Sequence, residues 1–439
     1  MSQWKKLKIG DFLTERTGRY KPDNPSISKY QRLDKIDFSG TIHISTKPTK
    51  TDMILVQPGD LVISGINVAK GAVSVYQGTE PVCATIHYSS YTFNKKIVDL
   101  DFFRFFVKSP VFLEALKRQV KGGIKTEIKP KHLLPLEISI PDLSEQKLIV
   151  ATVSNSLKKT EDLQKEIDSQ NEYVKLLRQN ILQDAIEGKL TADWRKSHPV
   201  IKGNPDYDAE ALFEKIQKEK DSYKKQKELP PITDKEKPFE IPEGWKWVRL
   251  GELVIDITSG SREWAKYYSN HGALFLRMGN LSKDSFHLRL NNLQYVNVPD
   301  NSEGKRTRLQ PGDLLFSITA DIGNLGLIPE NFEEAYINQH TARIRFMELE
   351  RTKFLPYVLL SPLLKKQYLP NAHGMKNSFR LDTLSFIKLP LPPLAEQEEI
   401  ESKVESLLSK ITELENQIQK RKILSEKLAF GIIKEKLEV

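Results

Sequence analysis

The amino-acid sequence repeats itself once, and this internal repeat restricts the possible folds more than any other feature of the chain. Three segments return in the same order: WKKLKIGDF from Trp4 as WKWVRLGEL from Trp245, LVQPGDLVIS (55–64) as RLQPGDLLFS (308–317), and LEISIPDLSEQKLI (136–149) as IKLPLPPLAEQEEI (387–400). The copies of Trp4, Pro58 and Gln146 lie 241, 253 and 251 residues further along the chain. Such small differences are typical of surface loops, so the 439 residues predict two similar domains rather than one core.

A long amphipathic segment follows each copy. Seam positions recur at alternating steps of four and three in Ile149, Val153, Ser156, Thr160, Leu163, Ile167, Gln170, Val174, Leu177 and Ile181, and 251 residues later in Ile400, Val404, Leu407, Ile411, Leu414, Ile418, Arg421, Ser425, Leu428 and Ile432. This spacing is typical of coiled-coil helices. The polar members either set the register or face a partner protein.

These patterns predict an α+β protein in which two mixed α/β domains are separated by two long antiparallel coiled-coil helices, related by a pseudo-twofold axis. The predicted segments are a first domain (1–142), a first long helix (143–190), a charged helix with a Pro-rich linker (191–243), a second domain (244–393) and a second long helix (394–439). Helices of this length would form a spacer of roughly 60 to 70 Å. Lysines of the charged helix alternate with acids, which favours a solvated face over DNA contact.

Composition excludes several classes of protein. Lys and Arg number 67 against 58 Asp and Glu, a net charge of +9 that permits binding to a polyanion without requiring it. Cys83 is the single cysteine, so the chain has no internal disulfide and no Cys-rich zinc site. No apolar stretch is typical of a secretory signal or a membrane helix. We therefore expect a cytoplasmic protein.

Motifs of catalysis are missing from the sequence. It contains no phosphate-binding P-loop, dinucleotide-binding Gly motif, nucleophile elbow or HExxH helix. The segment NPDY (204–207) resembles an amino-methyltransferase signature but has the wrong third residue and lies in the linker. Asp142, Glu145 and Lys147 resemble a metal-nuclease pattern, yet the second copy keeps only the Glu-Gln pair. A repeated part that coincides with a helix start indicates a structural role, so we expect no catalytic or metal-binding residues.

The chain resembles the specificity (S) subunits of type I restriction-modification systems almost from end to end. The motifs are IPEGW-x4-LG (241–251), both PGD-L turns, both [SA]-E-Q helix starts, and LQDAIEGKL (182–190) at the end of the first helix. Their order and duplication make the resemblance specific. The second helix departs from it, because the counterpart of Leu190 is Leu437, at an offset of 247 rather than 251.

The resemblance implies a non-catalytic subunit whose two domains are target recognition domains, each reading one half of a bipartite, asymmetric site in double-stranded DNA. It also implies two docked methyltransferase (modification) subunits that bind S-adenosylmethionine and methylate adenine at N6, and restriction subunits that use ATP and Mg. No cofactor is expected on this chain itself. The alternatives are a restriction or modification enzyme fused to its own reader, and a coiled-coil scaffold without affinity for DNA.

DNA contacts are expected from loop residues with basic or amide side chains, since phosphates and base edges need hydrogen-bond donors. The candidates are Arg19, Lys21, Lys70, Lys121, Lys125 and Lys129 in the first half, and Arg262, Lys266, Arg277, Gln339, His340, Lys376 and Asn377 in the second. At each position a solvated surface side chain is the alternative, because most surface Lys and Arg contact nothing.

Overall fold

The structure is a computed structural model that describes residues 4–47, 49–119, 128–223, 228–298, 306–348, 352–368 and 380–437. The chain forms two compact units: one comprises Met1–Ser169 and Ile418–Val439, the other Gln170–Gln417. Each unit therefore contains one α/β domain, the beginning of the long helix that follows this domain, and the end of the other long helix.

The first α/β domain consists of two four-stranded sheets, a two-stranded ribbon and three short helices. Its elements are β1 (Lys5–Lys8), β2 (Leu13–Glu15), β3 (Arg32–Ile36), β4 (Ile42–Ser45), β5 (Met53–Val56), β6 (Leu61–Ser64), β7 (Val73–Val75), β8 (Val82–Thr85), β9 (Tyr88–Phe93), α1 (Leu100–Phe106), α2 (Pro110–Gln119), α3 (Pro130–Leu133) and β10 (Glu137–Ile140). The sheet orders are β2-β9-β6-β7 and β4-β3-β8-β5, and β1 pairs antiparallel with β10. Buried phenylalanines of α1 and α2 pack together beneath the first of these sheets, which gives this domain an aromatic core.

The second α/β domain repeats this arrangement. Its elements are β11 (Lys246–Arg249), β12 (Val254–Ser259), β13 (Tyr268–Ser269), β14 (Ala273–Leu276), β15 (Gln294–Val296), β16 (Leu314–Ser317), β17 (Leu325–Leu327), β18 (Ala335–Ile337), β19 (Thr341–Phe346), α7 (Phe354–Leu360), α8 (Pro362–Tyr368), α9 (Leu381–Ser385) and β20 (Lys388–Leu391). The sheet β12-β19-β16-β17 matches β2-β9-β6-β7 strand for strand, and the parallel pair β14-β18 matches β3-β8. The predicted internal repeat is thus confirmed at the level of topology.

Two helices of 44 residues each follow the domains, α4 (Leu143–Ile186) and α10 (Leu394–Leu437). In the first unit, Leu437 at the end of α10 belongs to the same buried cluster as Ile149 near the start of α4. Further along α4, Glu166 forms an ion pair with Arg421 at 3.5 Å. Residue numbers rise along α4 where they fall along α10, so the two helices run antiparallel in this unit.

The second unit shows the same direction independently. Arg178 of α4 pairs with Glu415 of α10 at 3.1 Å. Beyond the end of α4, the ammonium group of Lys403 donates to the carbonyl of Leu190 at 3.1 Å. The prediction of antiparallel long helices is therefore confirmed within both units.

Only part of the predicted seam is buried. Every seventh residue from Val153 to Ile181 is buried or half-buried, as is every seventh residue from Val404 to Ile432. The alternate seam positions Leu177, Leu414 and Leu428 are instead exposed. Two helices alone do not cover the whole apolar stripe. None of the helices in the described part of the chain has the length and apolar character needed to span a membrane.

The connector between the halves contains α5 (Ala192–Ser197) and α6 (Ala209–Lys220). α6 is not solvated on all sides, because Leu212 and Ile216 are buried. Its last lysine, Lys220, donates from Nζ to the carbonyl of Gly251 at 2.6 Å, so this lysine supports the second domain. The expectation that the lysines of this helix form a solvated face is therefore wrong for Lys220.

The NPDY segment has a structural role. The carbonyls of Pro205 and Asp206 accept hydrogen bonds from the first amides of α10, those of Leu394 and Ala395, at 3.1 and 3.2 Å. Helix amides at this position lack partners within the helix, so the connector caps α10.

Candidate nucleic-acid interface

The first PGD turn anchors the loops of its domain through a buried carboxylate. Asp60 is 3% exposed and accepts hydrogen bonds from Arg16 at 2.6 and 2.8 Å, from Ser90 at 2.8 Å and from the amide of Gln57 at 2.9 Å. The bond to Asp60 raises the pKa of Arg16 above its ordinary value. Gly59 has φ +86°, which only glycine adopts readily. The motif therefore fixes the start of β6.

The second PGD turn is built in the same way. Asp313 is 1% exposed and accepts hydrogen bonds from Arg345 at 2.7 Å through each oxygen and from the amide of Gln310 at 2.7 Å. Gly312 has φ +81°. Both buried aspartates are fully engaged with neighbouring groups, so these turns are structural supports rather than DNA contacts.

Three connections of the first domain meet at the end of β6 that lies opposite the PGD turn. The amide of Gly65 in the β6–β7 connection donates to the carbonyl of His87 in the β8–β9 turn at 3.0 Å, and the amide of Ile128 donates to the carbonyl of Gly65 at 2.8 Å. These bonds bring Lys70 and Lys129 to the same end of the domain. Both side chains are exposed.

The other two described candidates of the first domain lie in the β2–β3 connection. Tyr20 forms a β-bridge with Met53, and the amide of Ile86 donates to the carbonyl of Asp52, which places this connection beside the β8–β9 turn. Arg19 is exposed, whereas Lys21 forms an ion pair with Asp52 at 3.0 Å. The structure thus assembles all four described candidates of this half around one end of the domain.

The second domain assembles its equivalent connections. The amide of Gly260, after β12, donates to the carbonyl of Asn338, after β18, at 3.1 Å. The amide of Ile318, after β16, donates to the carbonyl of His340 at 3.0 Å. Arg262, Gln339 and His340 therefore lie in connections that touch one another.

Side-chain bonds order this loop end. Nδ1 of His340 lies 2.9 Å from the hydroxyl of Thr319, and its Nε2 lies 2.8 Å from Nε2 of Gln339. An amide nitrogen can only donate, so with this orientation of Gln339 the His340 Nε2 accepts and the proton sits on Nδ1. This bond uses the amide nitrogen of Gln339 and not its amide oxygen.

The remaining candidates are distributed differently. Lys266 pairs with Glu263 at 3.1 Å, and this hydrogen bond raises the pKa of Lys266. Arg277 donates to the carbonyl of Asn292 at 3.2 Å and thereby closes the β14–β15 connection. Four further candidates fall outside the described residues: Lys121, Lys125, Lys376 and Asn377.

Sequence reasoning missed Phe38, at the tip of the β3–β4 hairpin in the first domain. The sequence-based candidates are basic, amide and imidazole side chains in loops, whereas Phe38 is an apolar side chain that is 61% exposed. The flanking sequence Asp37-Phe38-Ser39-Gly40 contains turn-forming residues on both sides of it, which was the available signal.

The apparent nuclease motif is a helix start. Asp142 accepts hydrogen bonds from the Ser144 hydroxyl at 2.5 Å and from the Glu145 amide at 2.9 Å, as an N-cap does. In the described part of the chain, no three His, Cys, Asp or Glu side chains are grouped so as to hold a metal ion.

The glutamine that is repeated at both helix starts is buried and hydrogen-bonded to its own domain. Gln146 donates to the carbonyls of Ile97 and Pro141 at 3.1 and 2.8 Å, and accepts from the amide of Asp99 at 2.8 Å. Gln397 donates to the carbonyl of Pro392 at 3.1 Å. It also accepts from the hydroxyl of Thr352 at 2.9 Å. Each glutamine thus fastens a long helix to the residues just before the first helix of its own domain.

Comparison with known proteins identifies the family. The model of the type I restriction modification DNA specificity domain matches residues 1–172 and again residues 242–421. The chain belongs to this family. The two matches coincide with the two halves of the repeat, and each includes an α/β domain and a large part of the long helix that follows it.

Curated members of the type I specificity family extend the similarity over most of the chain. The EcoAI specificity subunit of Escherichia coli is 26% identical over 376 residues, which cover 73% of this chain and 61% of that subunit. The EcoKI specificity subunit of Escherichia coli K12 is 24% identical, with 83% of this chain and 70% of that subunit aligned. The MjaVIII specificity subunit of Methanocaldococcus jannaschii is 24% identical, with 92% of this chain and 86% of that subunit aligned.

Solved structures of type I specificity proteins share the fold. A chain from a structural study of complex assembly and conformational transition in the type I R-M system aligns with a TM-score of 0.66 and 18% identity, over 100% of this chain and 98% of that one. The HsdS subunit of Thermoanaerobacter tengcongensis aligns with a TM-score of 0.53 and 18% identity, over 99% and 97%. The predicted α+β fold with two repeated domains and long helices is therefore confirmed.

Proposed function

We propose that the chain is the non-catalytic DNA-specificity subunit of a type I restriction-modification complex, and that it reads a bipartite, asymmetric site in double-stranded DNA. The observation that carries this proposal is the repeated loop end: each α/β domain gathers equivalent connections with exposed or half-buried basic and amide side chains. Basic side chains suit phosphates, and amide side chains such as Gln339 suit the edges of bases.

The two loop ends share a scaffold but not their side chains. The first presents Arg19, Lys70 and Lys129, and the second presents Arg262 and the Gln339–His340 pair. Since different donors recognise different bases, the two halves of the DNA site should differ in sequence. The overall charge of +9 supports binding to a polyanion.

The long helices would dock two methyltransferase subunits. They carry large apolar side chains that neither helix covers: Tyr173, Leu176 and Leu177 on α4, and Leu414, Ile423, Leu424 and Leu428 on α10. Exposed apolar side chains of this kind mark a protein interface on the helix segments of each unit. In this proposal the methyltransferase partners bind S-adenosylmethionine, restriction subunits use ATP and Mg, and the complex acts on DNA in the cytoplasm.

A map of modified adenines in cells that carry this chain and its partners tests the DNA-reading role. We expect a split motif with two unlike halves. Replacing residues 4–140 with the corresponding domain of another family member should change one half of the motif and leave the other unchanged. A continuous motif, or a change in both halves, would contradict the proposal, as would methyl transfer by this chain alone.

The docking role is tested by Leu424→Glu, with Lys427→Glu on the same helix as its matched control. Leu424 is 64% exposed and Lys427 is exposed as well, so neither substitution disturbs the core. Leu424→Glu should abolish co-purification of the methyltransferase, because a carboxylate would be buried in an apolar interface. Lys427→Glu changes the net charge by more than Leu424→Glu does and should retain co-purification of the methyltransferase. Equal co-purification of both variants would exclude this surface.

A further inference from the structure

The tip of the β3–β4 hairpin in the first domain holds an exposed aromatic ring in a rigid turn. The carboxylate of Asp37 accepts hydrogen bonds from the amides of Ser39 and Thr41 at 3.0 and 2.9 Å and makes a third with Nε2 of His43 at 3.0 Å. These bonds, the one with His43 foremost, lower the pKa of Asp37. Phe38 follows this carboxylate directly and is 61% exposed.

The hairpin tip is also pressed against the β6–β7 connection. Gly71 has φ +103°, and a Cβ atom added there would lie 2.5 Å from the carbonyl oxygen of Phe38. Such a distance leaves no room for any side chain, so the backbones of the two connections are in direct contact. Phe38 is therefore presented from a supported position and not from a loose loop.

A cation accompanies the ring. Nζ of Lys70 lies 5.8 Å from the centre of the Phe38 ring, within the range of a cation–π contact. Lys70 lies in the connection that also contains Gly65, to which the His87 and Ile128 backbones are bonded. The Phe38–Lys70 pair thus belongs to the loop end assigned to DNA.

We propose that Phe38 makes direct apolar contact with the bases of the first half-site while Lys70 binds an adjacent phosphate. This inference rests on the proposed DNA-reading function and adds to it a specificity residue that carries no hydrogen-bond donor. An aromatic ring contacts a thymine methyl group or the face of a base, which phosphates do not offer.

Duplex DNA fits this surface better than a protein partner does. The ring stands beside the ammonium group of Lys70, whereas the exposed apolar side chains suited to a protein lie on the long helices. Among the described residues of the second domain, the equivalent β14–β15 connection has no cation–π pair like that of Phe38 and Lys70, and Arg277 there donates to the carbonyl of Asn292. The Phe38–Lys70 pair is therefore a feature of the first domain.

Binding measurements on the full chain in complex with its methyltransferase separate the two roles. The duplexes are the mapped site and the same site with its first half scrambled, each titrated over a series of salt concentrations. The variants are Phe38→Ala, Lys70→Ala and the control Ile44→Ala, which removes another exposed apolar side chain of the same sheet, from β4.

Phe38→Ala should reduce the preference for the intact site about tenfold, the size of one lost base contact, and leave the salt dependence unchanged. Lys70→Ala should weaken binding to both duplexes and reduce the slope of log K against log salt by about 1. Ile44→Ala should change neither quantity.

Several outcomes would overturn the inference. The inference fails if Phe38→Ala weakens binding to both duplexes by the same factor. It also fails if this variant loses the methyltransferase but keeps its DNA preference, or if it behaves as the unaltered chain. In these cases the unaltered chain still prefers the mapped site, so the proposed function stands. If the unaltered complex shows no preference between the duplexes, the proposed function fails and this inference fails with it.

Discussion

Each α/β domain has a buried aspartate at the equivalent position, and the arginine that neutralises it comes from a different strand in each domain. In the first domain Asp60 is paired with Arg16, which follows β2, whereas in the second Asp313 is paired with Arg345 from β19. The strand register places Thr258 where the first domain has Arg16, and Thr92 where the second has Arg345. A buried carboxylate requires a cation, but either neighbouring strand can supply it. The repeat therefore preserves the turn and its charge balance rather than each residue.

The two helix starts differ more strongly. Glu396 of α10 is 2% exposed and accepts hydrogen bonds from the Thr191 hydroxyl at 2.6 Å, from the Trp245 indole at 2.7 Å and from Arg195. Its counterpart Glu145 in α4 is half-exposed. Described residues of the connector bond to the second helix start, and its glutamate is a structural centre of its unit.

The largest difference between the halves should appear in Glu396→Ala. Removing this carboxylate leaves Arg195 and the indole of Trp245 without their partner, which should cost the second unit about 3 to 5 kcal/mol. Glu145→Ala is the matched control and should cost less than about 1 kcal/mol. Amide hydrogen exchange of the full chain, followed separately in α4 and α10, measures both. Equal losses would show that the helix starts are equivalent after all.

The buried aspartates should give the next largest effect. Asp60→Asn and Asp313→Asn each remove the charge that balances an arginine, and each should lower the free energy of unfolding by about 2 to 3 kcal/mol. The effect should be greater for Asp313, because the side chain of Arg345 is less exposed than that of Arg16, at 17% against 27%.

Urea unfolding of the single variants and of Asp313→Asn with Arg345→Leu tests this pairing. The double variant should be less destabilised than the sum of its single changes, since it leaves no unbalanced charge. Strict additivity would contradict the assigned pairing.

Gln146 and Gln397 should contribute equally to the stability of their halves. Gln146→Leu and Gln397→Leu leave buried backbone groups without hydrogen bonds, at a cost of about 2 kcal/mol each. Gln179→Leu, an exposed position on α4, serves as the control and should change stability by less than about 0.5 kcal/mol. Thermal unfolding of the three variants measures the difference. A much smaller loss of stability for one of the two glutamine variants would show that the helix starts are not equivalent.

The smallest expected effect depends on pH. Burial raises the pKa of Glu401 in α10, although the amide of Phe354 donates to it at 3.1 Å, while α4 has Val150 at the matching position. A carboxyl whose pKa is raised on folding stabilises the protein below its unfolded pKa, and this contribution is lost as pH rises through the folded value. Glu401→Gln should therefore raise the melting temperature slightly at pH 7.

The gain from Glu401→Gln should disappear below about pH 4, where the carboxyl is protonated in both states. Val150→Gln, at the matching place in the first half, should show no such pH dependence. Melting curves at several pH values compare the two variants. A gain that is constant with pH would mean that Glu401 does not titrate as burial requires.

Much of the architecture follows from local sequence. The duplicated segments predict two similar domains, and the four-three spacing predicts the long helices, which begin at Leu143 and Leu394 in the structure. Periodicity also predicts the apolar seam as a whole. It could not separate the buried positions of the seam from the exposed positions Leu177, Leu414 and Leu428, because both sets are apolar at helical spacing.

The residues proposed to contact DNA follow from sequence less directly. Lys70 and Lys129 were candidates because they are basic residues in loops, a property that composition reveals. That they lie at one end of the domain depends on backbone bonds between distant residues, such as those of Gly65 with His87 and Ile128. Phe38 was missed because an aromatic residue between strands is as compatible with a core as with an exposed turn.

By itself the sequence determined the repeat, the helix starts, the net charge and the family, since these depend on residue order and on neighbours within a few turns. Only the tertiary structure decided that Arg16 serves Asp60 while Arg345 serves Asp313. It also decided that Arg195 reaches Glu396, 201 residues further along the chain. Charge compensation acts over a few ångströms of space and is indifferent to chain distance, so no local pattern specifies which cation will meet a buried acid.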